Sequence, residues 1–201
     1  KNVGLFDLTP FSKFEIKSDK AHQELQKICT ANIKNEPGKC VYTHMLNPDG
    51  GIETDLTVVC IDKNHFRIIS SAATRERDKF HINKHLSKNV ELKDITDDLC
   101  VFGLFGPKSR DLLKTLSEDN FENDQFKFGF AKFITIDGVK IWTQRLSYVG
   151  ELGYELYVDL KDAKKIYELL IEKGKDFNLS NCGMHAMDIM RMESGFLHWG
   201  H

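Results

Sequence analysis

The clearest period-two signal in the chain is KFEIK, where Phe14 and Ile16 alternate with Lys13 and Glu15. Alternation puts successive side chains on opposite faces, so LFDLTPFSKFEIKS predicts a strand. Over KAHQELQKICTANI the period changes: Leu25, Ile28 and Cys29 fall at helical spacing and form one apolar stripe. Asn35, Pro37 and Gly38 then break the chain. VYTHML and TDLTVVCI predict two strands about NPDGG, where Asp49-Gly50 supplies the positive φ of a tight hairpin. HFRIISSAA predicts a further strand that hands over to a helix from about Thr74 to Leu86.

VELKDIT, CVFGLFG and FAKFITID read as strands, and between the last two Pro107 opens a helix, a position that proline favours. KIWTQRLSYVGELGYELYVD reads as two strands joined by a turn containing Gly150 and Gly153. DAKKIYELLIEKG presents Ile166, Leu169 and Leu170 on one helix face and stops at Gly174, and a last helix covers MHAMDIMRMESGF. Hairpins mixed with helices, rather than strict strand–helix repetition, predict an α+β fold with antiparallel sheets and packed helices.

Composition narrows the function classes. Of the 201 residues, 41% are hydrophobic and 29% charged, values of a folded chain able to bury a core. The balance of 28 basic against 30 acidic residues does not favour a phosphate backbone, so no nucleic-acid partner is expected. No apolar run reaches the roughly 18 to 20 residues of a membrane span. The opening KNVGLFDLTPF has no secretory h-region, so no membrane association is expected. Five cysteines without a C-x-x-C pair read as reduced thiols of a bacterial cytoplasm or a mitochondrial matrix. A start without Met and an end directly after a helix suggest a segment of a longer protein.

Three places could carry chemistry. In ETDLTV, Glu53, Asp55 and Thr57 share one strand face, and Leu56 and Val58 take the other and seek the core. Asp55 therefore points to solvent or to a cleft. In GELGYELYV, Tyr154, Leu156 and Val158 share a face opposite Glu155 and Tyr157. A carboxylate there suits a ring with two parallel N–H donors, as a pterin or guanine has, or else a lysine on the strand surface. In IISSAATRERD, Ser70 and Ser71 precede a helix, where they could meet a polar ligand or cap the helix. His81 and His85 are four apart on a helix, but with no third ligand suggested no metal is expected. Met184, Met187, Met190 and Met192 read as a core or contact stripe. GLFGPK lacks both phosphate-loop patterns, and no dinucleotide fingerprint occurs.

Taken together and in order, VGLFDLTPFSKFEI, YTHMLNPDGGIETDLTV, FGLFGPKSRDLL, RLSYVGELGYELYV and AMDIMRMESGFLHWG resemble the aminomethyltransferase family typified by the glycine cleavage T-protein. The resemblance is closer to the folate domains of sarcosine and dimethylglycine dehydrogenases, and it runs over essentially the whole chain. It implies a folate-binding fold of two interleaved subdomains, ferredoxin-like and Greek-key, spanning 1–201. It implies tetrahydrofolate as cofactor and an imine derived from a small N-methyl amine as partner. Asp55 falls on the family's catalytic aspartate, Glu155 on its pterin-binding glutamate, and Tyr148 on an aromatic of the folate pocket. Ser70 and Ser71 fall on a pocket-lining segment of the dehydrogenase branch.

T-proteins read A-R-D in the last motif, whereas this chain reads Ala186-Met187-Asp188, which favours the dehydrogenase branch. The family implies a β-barrel domain after this segment. The dehydrogenases carry FAD in a domain before it, in the same or a neighbouring chain. The expected reaction is formation of 5,10-methylenetetrahydrofolate. The rival readings are a T-protein fed by an aminomethyl-lipoyl carrier, a folate-binding protein of iron–sulfur maturation, and a folate-fold module kept only for docking.

Overall fold

A computed structural model describes residues 2–200. In chain order the elements are β1 (Val3–Asp7), β2 (Ser12–Lys17), α1 (Ala21–Ile28), β3 (Cys40–Leu46), β4 (Ile52–Asp62), β5 (His65–Ser70), α2 (Arg75–His85) and β6 (Leu92–Asp94). They continue with β7 (Leu99–Phe105), α3 (Ser109–Leu116), β8 (Ala131–Ile136), β9 (Val139–Gln144), β10 (Gly153–Asp159), α4 (Leu160–Gly174), β11 (Leu179–Cys182) and α5 (Met184–Glu193). The fold is α+β, and the chain forms two compact units: residues 10–96, and residues 1–9 with 97–201.

The unit of residues 10–96 has a five-stranded antiparallel sheet in the order β3-β4-β5-β2-β6. One sheet face carries Phe14, Ile16, Leu56, Val58, Phe66 and Ile68, all buried in one cluster with Leu25 of α1 and Ile82 of α2. Each such side chain contributes about 1.5 to 3 kcal/mol on leaving water, so this cluster dictates which face of every strand turns inward. The other face carries Tyr42, His44, Asp55, Thr57, Arg67 and Glu15, as the register pairs His44 with Asp55, Tyr42 with Thr57, and Arg67 with Glu15. Arg67 holds Glu15 through Nε at 3.0 Å and Nη2 at 2.8 Å, and His65 Nε2 lies 2.9 Å from its second oxygen.

The other unit has a six-stranded sheet, β11-β1-β7-β10-β9-β8, antiparallel except where β1 runs parallel to β11. Leu5, Leu104, Ile134, Ile141, Tyr154 and Leu156 line its core face, packed with Leu112 and Leu113 of α3 and Ile166 and Leu170 of α4. Between β7 and α3 the chain turns at Gly106, whose φ of +130° is open only to glycine. A Cβ there would fall on the Asn2 carbonyl oxygen.

The elements differ from the sequence pattern in four places. LFDLTPFSKFEIKS is not one strand: β1 and β2 lie in different sheets, separated where Pro10 has no N–H to offer a ladder. Helix α1 ends at Ile28 rather than continuing to Ile33, because Cys29 turns extended (φ −96°, ψ 140°) and bridges to Met45. Residues 145–152 form a loop between β9 and β10 longer than a glycine turn. Strand β11 escapes the pattern altogether, since its residues are half-buried or exposed and only pairing with β1 defines it. All five cysteines are free.

Candidate functional site

Asp55 owes its position to the β3–β4 hairpin. Asn47 Oδ1 accepts from the backbone N–H groups of Asp49 (3.0 Å) and Gly51 (2.8 Å), and Gly50 takes φ +82°. That turn fixes the register, and the burial of Leu56 and Val58 turns Asp55 to the opposite face. There Tyr42 Oη donates to Asp55 Oδ2 at 2.9 Å. His44 Nε2 lies 3.5 Å from Tyr42 Oη, and the two rings meet edge to face with centroids 5.2 Å apart. Among the described residues, Oδ1 of Asp55 has no hydrogen-bond partner, and no cation pairs with the carboxylate. The sequence pattern did not single out Tyr42 or His44. The hairpin register carries that signal, because it places 42, 44 and 55 on one face.

Glu155 sits in the middle of β10, opposite Gln144 of β9 and Gly103 of β7. Tyr157, two residues along the same face, donates to Glu155 Oε2 at 2.9 Å. Among the described residues no lysine or arginine pairs with this half-buried carboxyl, which rules out a strand-surface ion pair. Burial pushes it up to about 7, against the opposing hydrogen bond from Tyr157. A second group on this face is Trp142, paired in register with Tyr157, which is buried and whose Nε1–H has no partner among the described residues. A carboxyl without a cation and an indole donor without an acceptor fit a polar planar ligand better than a finished structural network.

The remaining predicted residues separate. Ser70 opposes Leu56 and Ser12, so it lies on the core face, the opposite face from Asp55, and its buried hydroxyl has no partner. Ser71 caps the short 3₁₀ turn Ala72–Thr74, with its hydroxyl accepting from Ala73 N–H at 3.3 Å. Tyr148, in the loop after β9, donates to the Leu197 carbonyl at 2.7 Å and stacks on Phe196. His81 and His85 adjoin each other with ring centroids 4.6 Å apart, and among the described residues no group of three potential ligands stands together. Met187 is buried, whereas Met184 and Met192 are exposed. Two surface depressions of about 450 and 520 Å³ adjoin the β8–β9 turn, the first beside α4 and the second beside the end of α3, and include no candidate residue. No helix among the described residues is long and apolar enough to cross a membrane.

Two sheets, each presenting one carboxyl without a cationic partner on the face away from its main core, define a ligand-binding α+β protein. The family model described as the GCVT N-terminal domain matches residues 1–201, and the chain belongs to that family, the folate-dependent aminomethyltransferases. A Paenarthrobacter nicotinovorans protein described as 4-methylaminobutanoate oxidase (formaldehyde-forming) is 35% identical over 202 residues, covering 100% of this chain and 24% of its own length. Mitochondrial dimethylglycine dehydrogenase of Rattus norvegicus is 34% identical over 100% of this chain and 24% of its own length. An aminomethyltransferase of Halothermothrix orenii is 32% identical over 98% of this chain and 55% of its own length. The chain thus spans about a quarter of the first two relatives and about half of the third. In fold it matches the crystal structure of glycine cleavage system aminomethyltransferase T from Bartonella henselae, with TM-score 0.84 and 20% identity over 98% of this chain and 52% of that one. It also matches heterotetrameric sarcosine oxidase from Corynebacterium sp. U-96, with TM-score 0.71 and 12% identity over 90% of this chain and 87% of that one.

Proposed function

We propose that this segment carries out tetrahydrofolate-dependent one-carbon transfer, capturing the methylene of an oxidised N-methyl amine as 5,10-methylenetetrahydrofolate. The observation that carries the reading is Glu155: a half-buried carboxyl, held near 7, with no cation and one tyrosine donor. Such a group is prepared to accept the paired N–H donors of a pterin, and a charge-assisted fork of that kind both binds and orients. The names of two relatives, 4-methylaminobutanoate oxidase and dimethylglycine dehydrogenase, support an N-methyl amine as donor. Oxidation of the amine is assigned to an FAD-dependent dehydrogenase domain outside these residues.

Tetrahydrofolate, when bound, would supply the two nitrogens that take up the iminium carbon before water does, the bond to the original amine nitrogen breaking and the demethylated amine leaving. Asp55 would face the positive charge and take the proton lost as the second folate nitrogen attacks, a general-base role that usually contributes about 10²- to 10⁴-fold. Glu155 holds the pterin and does not react. Holding the two reactants together supplies roughly 7 to 11 kcal/mol in well-aligned cases. Tyr148 is proposed as an aromatic neighbour of the folate, whereas Ser70 and Ser71 are given no contact with the reacting atoms. The test is Asp55→Asn in the full-length protein, with dimethylglycine, sarcosine and 4-methylaminobutanoate offered in turn. Folate affinity should stay within a few-fold while methylenetetrahydrofolate formation falls about 10²-fold or more. Formation at the parent rate would reject the role of Asp55.

A further inference from the structure

A carboxylate that must accept a proton from one direction has two equivalent oxygens and a torsion that exchanges them. In this chain one of the two oxygens is anchored, which sets the plane of the carboxylate. Tyr42 Oη donates to Asp55 Oδ2 at 2.9 Å, from the neighbouring strand of the same hairpin. Tyrosine has one hydroxyl proton. With that proton given to Asp55, the tyrosine oxygen is an acceptor toward His44 Nε2, 3.5 Å away, when the ring carries its proton there. The His44 ring also packs edge to face on the Tyr42 ring. This contact restrains a tyrosine that is otherwise 57% exposed.

We infer that Tyr42 is the positioning residue for Asp55, and that His44 in turn positions Tyr42, so that Oδ2 is occupied and Oδ1 is the oxygen presented to the reacting nitrogen. The inference rests on the proposed role of Asp55 and adds the groups that make it directional. All three residues lie on one face of one hairpin, on rigid strands rather than loops. The chain His44 → Tyr42 → Asp55 is oriented toward the carboxylate, so its donors converge on one oxygen, Oδ2. Asp55 Oδ1, with no partner among the described residues, is the carboxylate oxygen left for a substrate.

The experiment compares Tyr42→Phe, Asp55→Asn and the double variant in the full-length protein. Phenylalanine keeps the ring and its packing on His44 and removes the hydroxyl alone. The first readout needs no folate: the infrared carboxylate stretch of ¹³C-aspartate-labelled protein. Tyr42→Phe should shift one carboxylate band, and the same substitution made in Asp55→Asn should shift none. The second readout is methylene transfer. Tyr42→Phe should lower its turnover roughly tenfold, the loss of one hydrogen bond to a charged group, with little change in the folate KM. It should cost nothing further on top of Asp55→Asn. His44→Gln, which keeps an N–H donor, should retain more turnover than His44→Ala.

An unmoved carboxylate band, or losses that multiply in the double variant, would overturn the inference. Parent-level transfer by Tyr42→Phe beside a defective Asp55→Asn would overturn it alone. Parent-level transfer by Asp55→Asn would remove the functional reading, and this inference with it.

Discussion

Tyr157 donates its hydroxyl to Glu155 across 2.9 Å, and among the described residues this is the one protein hydrogen bond the carboxyl receives. Burial outweighs that bond and pushes Glu155 up to about 7, from an ordinary 4.5. Between those values the folded protein holds a proton that the unfolded chain has released, so this group's contribution to stability falls as pH rises through the window. Glu155→Gln should therefore unfold like the parent at pH 4. At pH 8 it should be more stable, by on the order of 1 to 3 kcal/mol. Denaturant melts at the two pH values decide it, and a variant weaker than the parent at pH 8 would contradict the burial argument.

The same carboxyl gives folate binding a pH dependence. On the proposed role of Glu155, the pterin's N–H groups would bind the ionised form, which a group near 7 loses as pH falls. Tetrahydrofolate affinity should drop about tenfold from pH 8 to pH 6. Calorimetry should show uptake of ligand coupled to proton release near pH 6.5. A profile that is flat in the parent protein would separate Glu155 from the pterin.

Glu15 behaves in the opposite sense. Burial opposes its ionisation, but His65 and the Arg67 guanidinium outweigh it and hold the carboxyl at about 2. A lowered carboxylate stabilises fully above its unfolded value near 4.5, and that stability is lost as pH falls toward 2. Glu15→Gln should cost about 2 to 3 kcal/mol at pH 7 and converge on the parent near pH 2. Equal stability of the two proteins at neutral pH would show that the cluster does not stabilise the sheet.

Gly106 tests the backbone. At φ +130° an alanine is strained, and its Cβ would fall on the Asn2 carbonyl, which accepts the Lys108 N–H at 3.1 Å. Gly106→Ala should destabilise by roughly 2 to 4 kcal/mol, visible as a lowered Tm. A Tm within a degree of the parent would mean that the β7–α3 turn relaxes freely.

Much of this was legible in the residue pattern, for local reasons. The alternation in ETDLTV placed Asp55 opposite Leu56 and Val58, and GYELYV placed Glu155 opposite Tyr154 and Leu156, as the buried clusters require. Where the pattern failed, the deciding contact was distant in sequence. Strand β11 exists because β1 runs beside it, and nothing within LSNC announces that. Ser70 takes the core face because the register of β5 against β4 pairs it with Leu56, a contact that nothing within IISSAA announces. The ordered motifs brought the family into view, while the partners of the two carboxyls, Tyr42 and Tyr157, came from cross-strand and same-face geometry.

The placement of β1 sets an order of events at the ribosome. It precedes residues 10–96, whereas its antiparallel partner β7 lies beyond residue 96 and its parallel partner β11 begins at Leu179. Meanwhile residues 10–96 form a unit with its own sheet and core. Residues 10–96 can thus complete their sheet first, while β1 waits with open ladder groups. Its late docking makes closure of the six-stranded sheet the slow, nonlocal step of folding. It also makes Val3–Asp7, before its partners emerge, the stretch most in need of protection from wrong pairing.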